Sequence, residues 1–123
     1  MALILAYRNR GLTRDLVIKN GVGAVIIPGT NDRLRIIIGH ESKLNDAGNL
    51  SGAELQFTSL AATSNGSSIV LSTALPGENR MRLDASDLTF SAGIYTLIFD
   101  HFDNADAQEW KTISRQVFVL EST

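Results

Sequence analysis

The sequence predicts an all-β fold, and three observations carry that expectation. Apolar and polar residues alternate over short runs along most of the chain, the period-2 pattern of strands with one face toward a core. Clusters of Gly, Asn, Asp, Ser and Pro separate those runs, as turns require. Only Asp84 to Leu88 resembles a helical turn, and no 3.6-residue periodicity is sustained anywhere.

Taken in order, the chain opens on the apolar segment Ala2 to Tyr7, which runs straight into Arg8 and Arg10. It is about half as long as a signal h-region and has no basic stretch ahead of it, so it is expected to be neither a signal peptide nor an anchor. Residues 1–13 are expected to form an N-terminal arm and residues 14–123 a sandwich domain. Two readings of the arm stand side by side. It can add to the sheet edge of another subunit, with Leu3, Leu5 and Tyr7 setting the register, or it can close its own sheet.

Asp15 to Lys19 and Ala24 to Ile27 make two short strands split by the turn dipeptide Asn20-Gly21, and Pro28-Gly29-Thr30-Asn31 turns the chain again. Arg33 to Gly39 places Leu34, Ile36 and Ile38 on one face and Arg33 and Arg35 on the other, with Ile37 breaking the alternation. The polar stretch Glu41 to Gly52 reads as a long loop able to dock onto a neighbour. Leu55 and Phe57 then alternate with Glu54, Gln56 and Thr58.

After the turn Ser64-Asn65-Gly66-Ser67, Ile69 and Leu71 carry an inward face. Pro76-Gly77-Glu78-Asn79 turns the chain, and Met81 and Leu83 follow. Asp84 or Ser86 can cap one short helical turn. The clearest pair is a hairpin of Ile94 to Phe102 and Trp110 to Leu120, joined across Asp103-Asn104-Ala105-Asp106. In the first strand Tyr95, Leu97 and Phe99 share a face. In the second Val117 and Val119 oppose Phe118 and Leu120, as in a strand covered on both sides.

About seven to eight antiparallel strands in roughly 100 residues, with one short helical turn before the penultimate strand, is the pattern of an immunoglobulin-like β-sandwich. Ser91 to Leu97 sharpens it. Gly93, Tyr95 and Leu97 fit the structural corner in which a Tyr hydroxyl bonds back to nearby backbone, and Leu97 stands where antibody domains have their second cysteine. Trp110 lies on the last strand rather than the third, so the disulfide-and-Trp core of antibody domains is absent. A small barrel shares the same periodicity.

The 123 residues can bury one core. A composition of 44% apolar and 20% charged residues is that of a folding globular domain. Eleven Lys and Arg against thirteen Asp and Glu, a formal charge of -2, supply neither the basic field used on nucleic acid nor a polybasic membrane patch. Zero cysteines exclude disulfides, thiolate metal sites and a thiol nucleophile. No apolar run approaches the roughly 18 residues of a membrane helix.

Candidate chemistry is sparse. Asp100 to Glu109 offers oxygen ligands for calcium but lacks the central Gly and order of an EF-hand, and a solvated hairpin tip explains the same residues. His40 and His101 fall far short of a zinc set and read as strand-end histidines. Gly21, Gly23 and Gly29 after Lys19 do not match a phosphate loop, because no Gly-Lys-Ser or Gly-Lys-Thr enters a helix. Arg33, Arg35, Arg80, Arg82 and Arg115 point outward at alternating positions, to meet a partner's carboxylates or to form a solvated face balanced by Glu54 and Asp84. Trp110 and Phe102 make either a contact patch or a plug for one end. The interface candidates are therefore Leu3, Leu5, Tyr7, Arg33, Arg35 and Trp110. No nucleophile or base with an orienting partner can be assembled, so neither an enzyme nor a cofactor is expected.

Four segments carry a resemblance: Asn65-Gly66-Ser67-Ser68; Arg82 through Asp84-Ala85-Ser86-Asp87-Leu88 and Ala92-Gly93-Ile94-Tyr95 to Leu97; Phe102-Asp103-Asn104-Ala105-Asp106-Ala107-Gln108-Glu109-Trp110-Lys111; and Gln116-Val117-Phe118. Together with Arg14 to Lys19 they resemble small structural proteins of tailed bacteriophages. The resemblance implies a non-enzymatic virion component made in the bacterial cytoplasm: a tail, baseplate or fibre adaptor, or a capsid decoration protein. Its implied partners are other virion proteins, with a homo-oligomeric or symmetric assembly. The alternative is a carbohydrate- or receptor-binding adhesion module, which needs exposed aromatic residues beside polar groups.

Overall fold

The structure is a computed structural model that describes residues 3–19, 22–29, 31–44, 52–72, 79–104 and 109–122. Among the described residues, ten strands run in chain order as β1 Leu3–Tyr7, β2 Leu12–Leu16, β3 Ile18–Lys19, β4 Val25–Ile26, β5 Arg33–Gly39, β6 Ala53–Thr58, β7 Ser68–Val70, β8 Asn79–Leu83, β9 Gly93–Phe102 and β10 Trp110–Glu121. Two single 3-10 turns, Glu41–Lys43 and Ala85–Asp87, are the only helical pieces among the described residues. The fold is all-β.

The strands form a five-stranded sheet in the order β1-β10-β9-β5-β6, a three-stranded sheet β2-β8-β7 and a small ribbon β3-β4. The hairpin β9-β10 is antiparallel, with Trp110 opposite Phe102 and Leu120 opposite Gly93. By contrast, β1 runs parallel to β10 from Leu3 beside Val117 to Tyr7 beside Glu121. One apolar cluster draws on both larger sheets. Ile4, Leu34, Ile36, Ile38, Phe57, Leu97, Phe99 and Phe118 come from the first, and Leu16, Ile69, Met81 and Leu83 from the second. Period-2 alternation, which sends every second side chain to one face, is what lets short strands build this shared core.

Several boundaries differ from the sequence reading for physical reasons. The segment expected as an arm contains β1, whose Ile4 and Ala6 are buried in the core. The strand expected over Asp15 to Lys19 is two strands. Leu16 and Ile18 both turn inward, but the chain leaves β8 after Leu16 and pairs β3 with β4 instead. Ile37 breaks the alternation of β5 because it serves a second apolar cluster, with Leu44 and Ile98, on the opposite face of the sheet. The expected turn at Pro76 to Asn79 lies outside the described residues except for Asn79, which opens β8.

The turn before β9 forms as the sequence predicts. The Asp84 side chain accepts the Ser86 N–H and caps the 3-10 turn. The Tyr95 hydroxyl then donates to the Ser91 carbonyl. The Tyr95 ring packs edge-on to Phe90 at 4.9 Å and against His40 at 4.5 Å. Gly93 lies beside that ring and Leu97 is buried one turn of the alternation further in.

Candidate functional site

The outward face of the five-stranded sheet gathers most of the residues singled out in the sequence. Cross-strand register sets the rows: Leu3 beside Val117 beside Thr96, and Leu5 beside Val119 beside Ile94. On this face Ile94 is 70% and Leu3 61% exposed, with Leu5 and Tyr7 also exposed and Val117 and Val119 half-buried. A continuous apolar patch thus crosses three strands at the β1 edge. It arises because β1 and the end of β10 are apolar at consecutive positions, so both of their faces are apolar.

The other end of the same face is an arginine and aromatic ladder. The Arg33 guanidinium lies 5.1 Å from the Phe102 ring centroid and Arg35 lies 4.2 Å from that of Trp110, while the two rings meet at 5.5 Å. Arg35 also donates twice to Asp100 Oδ2, at 2.6 and 3.0 Å, and the Thr112 hydroxyl donates to Oδ1 at 2.9 Å. The Asp100 side chain is 5% exposed and that of Arg35 17%, so this is a largely buried charge pair. Arg35 and Trp110 are therefore committed to intramolecular contacts. Arg33 remains exposed above Phe102.

The remaining arginines divide by sheet. Arg115 pairs with Glu41 at 2.6 Å on the outward face of the first sheet, where Thr96 also donates to Glu41. That hydroxyl, and after it Arg115, hold the Glu41 carboxyl below its ordinary value against the opposing effect of partial burial. The start of the loop expected to dock onto a neighbour, Glu41 to Leu44, therefore folds back on its own sheet, with Leu44 buried; residues 45–51 lie outside the described residues. Arg80 pairs with Asp15 at 3.3 Å, and Arg82 with Asp84 at 3.0 Å, both on the second sheet. The balancing role expected of Asp84 is seen; Glu54 forms none of the ion pairs found among the described residues.

One constellation escaped the sequence reading. His101 is not a surface strand-end histidine but a buried one, and its Nε2 lies 2.8 Å from Asp32 Oδ2. Asp32 also accepts the Gly29 N–H on Oδ2 at 2.8 Å and the Asn104 N–H on Oδ1 at 3.0 Å. Burial alone would raise the Asp32 carboxyl; the His101 contact and the two backbone donors outweigh it and hold the group below its ordinary value. With side chains 8% and 6% exposed, the pair is enclosed rather than set in a cleft. Chemically it is a clamp tying the Gly29 turn and the Asn104 loop to the end of β9. His40, the other histidine, is half-buried against Tyr95.

A second polar knot holds the corner from below. Asp87 accepts the hydroxyls of Thr63 and Ser67 and the Asn65 side-chain amide, and Ser67 in turn accepts the Asp84 N–H. Its carboxyl, which burial would raise, is lowered by these donors. Of the stretch weighed for calcium, Asp100 and His101 belong to β9, where Asp100 is held by Arg35 and Thr112 and His101 by Asp32, and residues 105–108 lie outside the described residues. Among the described residues no group of three or more His, Asp or Glu side chains is arranged to hold a metal ion. No helix of the described structure is long and apolar enough to cross a membrane.

Comparison of the chain with protein-family models, curated proteins and solved structures found no match.

Proposed function

We propose that this chain is a non-enzymatic assembly module, a structural component of a tailed-phage virion that docks onto neighbouring virion proteins. The observation that carries the docking is the apolar patch of exposed Leu3, Leu5 and Ile94 with half-buried Val117 and Val119 on the outward sheet face. Contiguous apolar surface of this kind, rimmed here by the Glu41–Arg115 ion pair and Glu121, is characteristic of protein–protein contact sites. The virion assignment is supported by the resemblance of the Arg82 to Leu97 and Phe102 to Lys111 segments.

The scaffold beneath the patch is an immunoglobulin-like sandwich. Its support is the strand order, β1-β10-β9-β5-β6 facing β2-β8-β7, with β1 parallel to β10 and the Tyr95 corner ahead of β9. The copies are made in the host cytoplasm and assemble symmetrically, since virion parts are repeated.

Mass spectrometry of purified phage particles carrying this gene tests the reading, with the chain expected at stoichiometric abundance. In the purified protein, Ile94→Glu and Leu5→Glu should abolish co-sedimentation with virion subcomplexes while leaving stability within about 1 kcal/mol, because both sites are exposed. Protein that stays monomeric at high concentration and binds no virion component would overturn it.

A further inference from the structure

The turn Ser64-Asn65-Gly66-Ser67 sets a chemically labile dipeptide against the polar knot of Asp87. In Asn-Gly the backbone nitrogen of the glycine can attack the asparagine side chain, because glycine carries no Cβ to hinder the approach. Asn65 is exposed and Gly66 has a φ of +104°. Both reacting groups are nevertheless tied. Asn65 Nδ2 donates to Asp87 Oδ1 at 2.9 Å, the Gly66 N–H donates to the Thr63 carbonyl at 3.0 Å, and Arg82 Nη1 donates to the Gly66 carbonyl at 2.9 Å. Asp87 in turn accepts the hydroxyls of Thr63 and Ser67 on Oδ2.

We propose that Asn65 is a deamidation site gated by Asp87: the closed knot holds the side-chain amide unreactive, and conversion of Asn65 opens the knot beneath the Tyr95 corner. The Gly66 nitrogen attacks Asn65 Cγ and closes a succinimide ring, while the displaced amide nitrogen takes up the Gly66 proton and leaves as ammonia. Water then opens the ring. Cleavage between the Gly66 nitrogen and Cγ gives aspartate; cleavage between that nitrogen and the Asn65 carbonyl carbon gives isoaspartate, with the chain routed through Cγ. Water is the only co-reactant and ammonia the only leaving group.

The gate follows from the bonds. In the closed knot the nucleophilic nitrogen shares its proton with Thr63, and the leaving nitrogen is held on Asp87. Reaction therefore waits on a local opening that breaks both. Thr63 and Ser67 also bond each other, Thr63 N–H to the Ser67 carbonyl and Ser67 N–H to Thr63 Oγ1, each at 3.0 Å, so the turn opens as a unit.

The product cannot reclose the same knot. Aspartate at position 65 replaces the donor facing Asp87 with a carboxylate, setting two like charges together. Isoaspartate adds a methylene to the backbone of a turn closed on both sides by Thr63 and Ser67. The loss reaches the capped turn, because Ser67 accepts the Asp84 N–H. This site precedes β7 in the second sheet, so it stands independently of the apolar patch on the first.

Ageing the full chain at mildly alkaline pH, with peptide mapping by mass spectrometry and enzymatic methylation of isoaspartate, tests the inference. Asn65 should convert at least tenfold more slowly in the folded chain than in the same chain in urea. Asp87→Ala, checked for folding by circular dichroism, should recover most of that difference, and Thr63→Val should act in the same direction through a smaller change. Ile36→Val, in the core of the first sheet, should leave the rate unaltered. Asn65→Asp, which installs one product directly, should speed amide exchange at Ser67 and Asp84 by at least tenfold while the β9-β10 hairpin stays protected. Equal rates in the folded chain and in urea, wild-type rates in both knot variants, an Ile36→Val rate as fast as theirs, or wild-type exchange in Asn65→Asp would overturn the proposal.

Discussion

Replacing Tyr95 by Phe removes one hydroxyl and nothing else, which isolates the corner's hydrogen bond from its packing. The hydroxyl donates to the Ser91 carbonyl, and the ring is 3% exposed. An intramolecular hydrogen bond contributes about 0.5 to 1.5 kcal/mol net, with more lost when a buried partner is left unsatisfied. Ser91 is exposed, so water can replace the lost donor and the lower part of that range applies. We therefore expect Tyr95→Phe to cost about 0.5 to 1 kcal/mol, a fall of about 2 to 6 °C in melting temperature for a domain of this size. Tyr95→Ala also deletes the contacts with Phe90 and His40 and should cost about 3 to 5 kcal/mol. Urea unfolding followed by circular dichroism, with the slope checked for constancy, measures both. A Tyr95→Phe cost near zero would refute the view that the hydroxyl pins the corner. A cost equal to that of Tyr95→Ala would refute the division between bond and packing.

Charge pairs should separate by burial. Arg35→Met strands the buried Asp100 carboxylate and should cost about 3 kcal/mol, whereas Arg80→Met, whose pair with Asp15 is exposed, should cost less than about 1 kcal/mol in the same unfolding assay. Acid stability should follow Asp32 and Asp87. Both carboxyls are held below their ordinary value of 3.8 in the fold, so their contribution is complete above that value and is lost as pH falls through the folded values. Denaturation curves should be flat in this respect from pH 7 to about 5 and fall steeply below about 4, and Asp87→Asn should flatten that fall. Gly52→Ala should destabilise, since a Cβ there would lie 2.6 Å from Lys43 Cβ and 2.9 Å from the Lys43 carbonyl oxygen; a melting temperature equal to wild type would contradict the close approach.

The strands legible in the sequence are those where local pattern and tertiary need agree. Arg33 to Gly39 and the hairpin of Ile94 to Phe102 with Trp110 to Leu120 fall within a residue of β5, β9 and β10 because alternation alone dictates their faces. The Asp84 cap and Tyr95 corner were likewise readable, since each is a bond between residues two to four apart. Val17, in contrast, gave no sign that the chain changes sheets there, because Leu16 and Ile18 keep the same alternation through the switch.

What the sequence determined by itself about this protein is thus its class and its local devices: an all-β fold, its capped corner and a list of apolar and arginine-bearing faces. The tertiary structure alone decided which of those faces meet. It laid β1 along its own β10, committed Arg35 to Asp100 across 65 positions, buried His101 on Asp32 across 69, and left Leu3, Leu5 and Ile94 outside. The physical reason is that a strand's alternation specifies two faces but not its neighbours. Pairing over such separations is selected only when the whole core closes, and no window of sequence contains that choice.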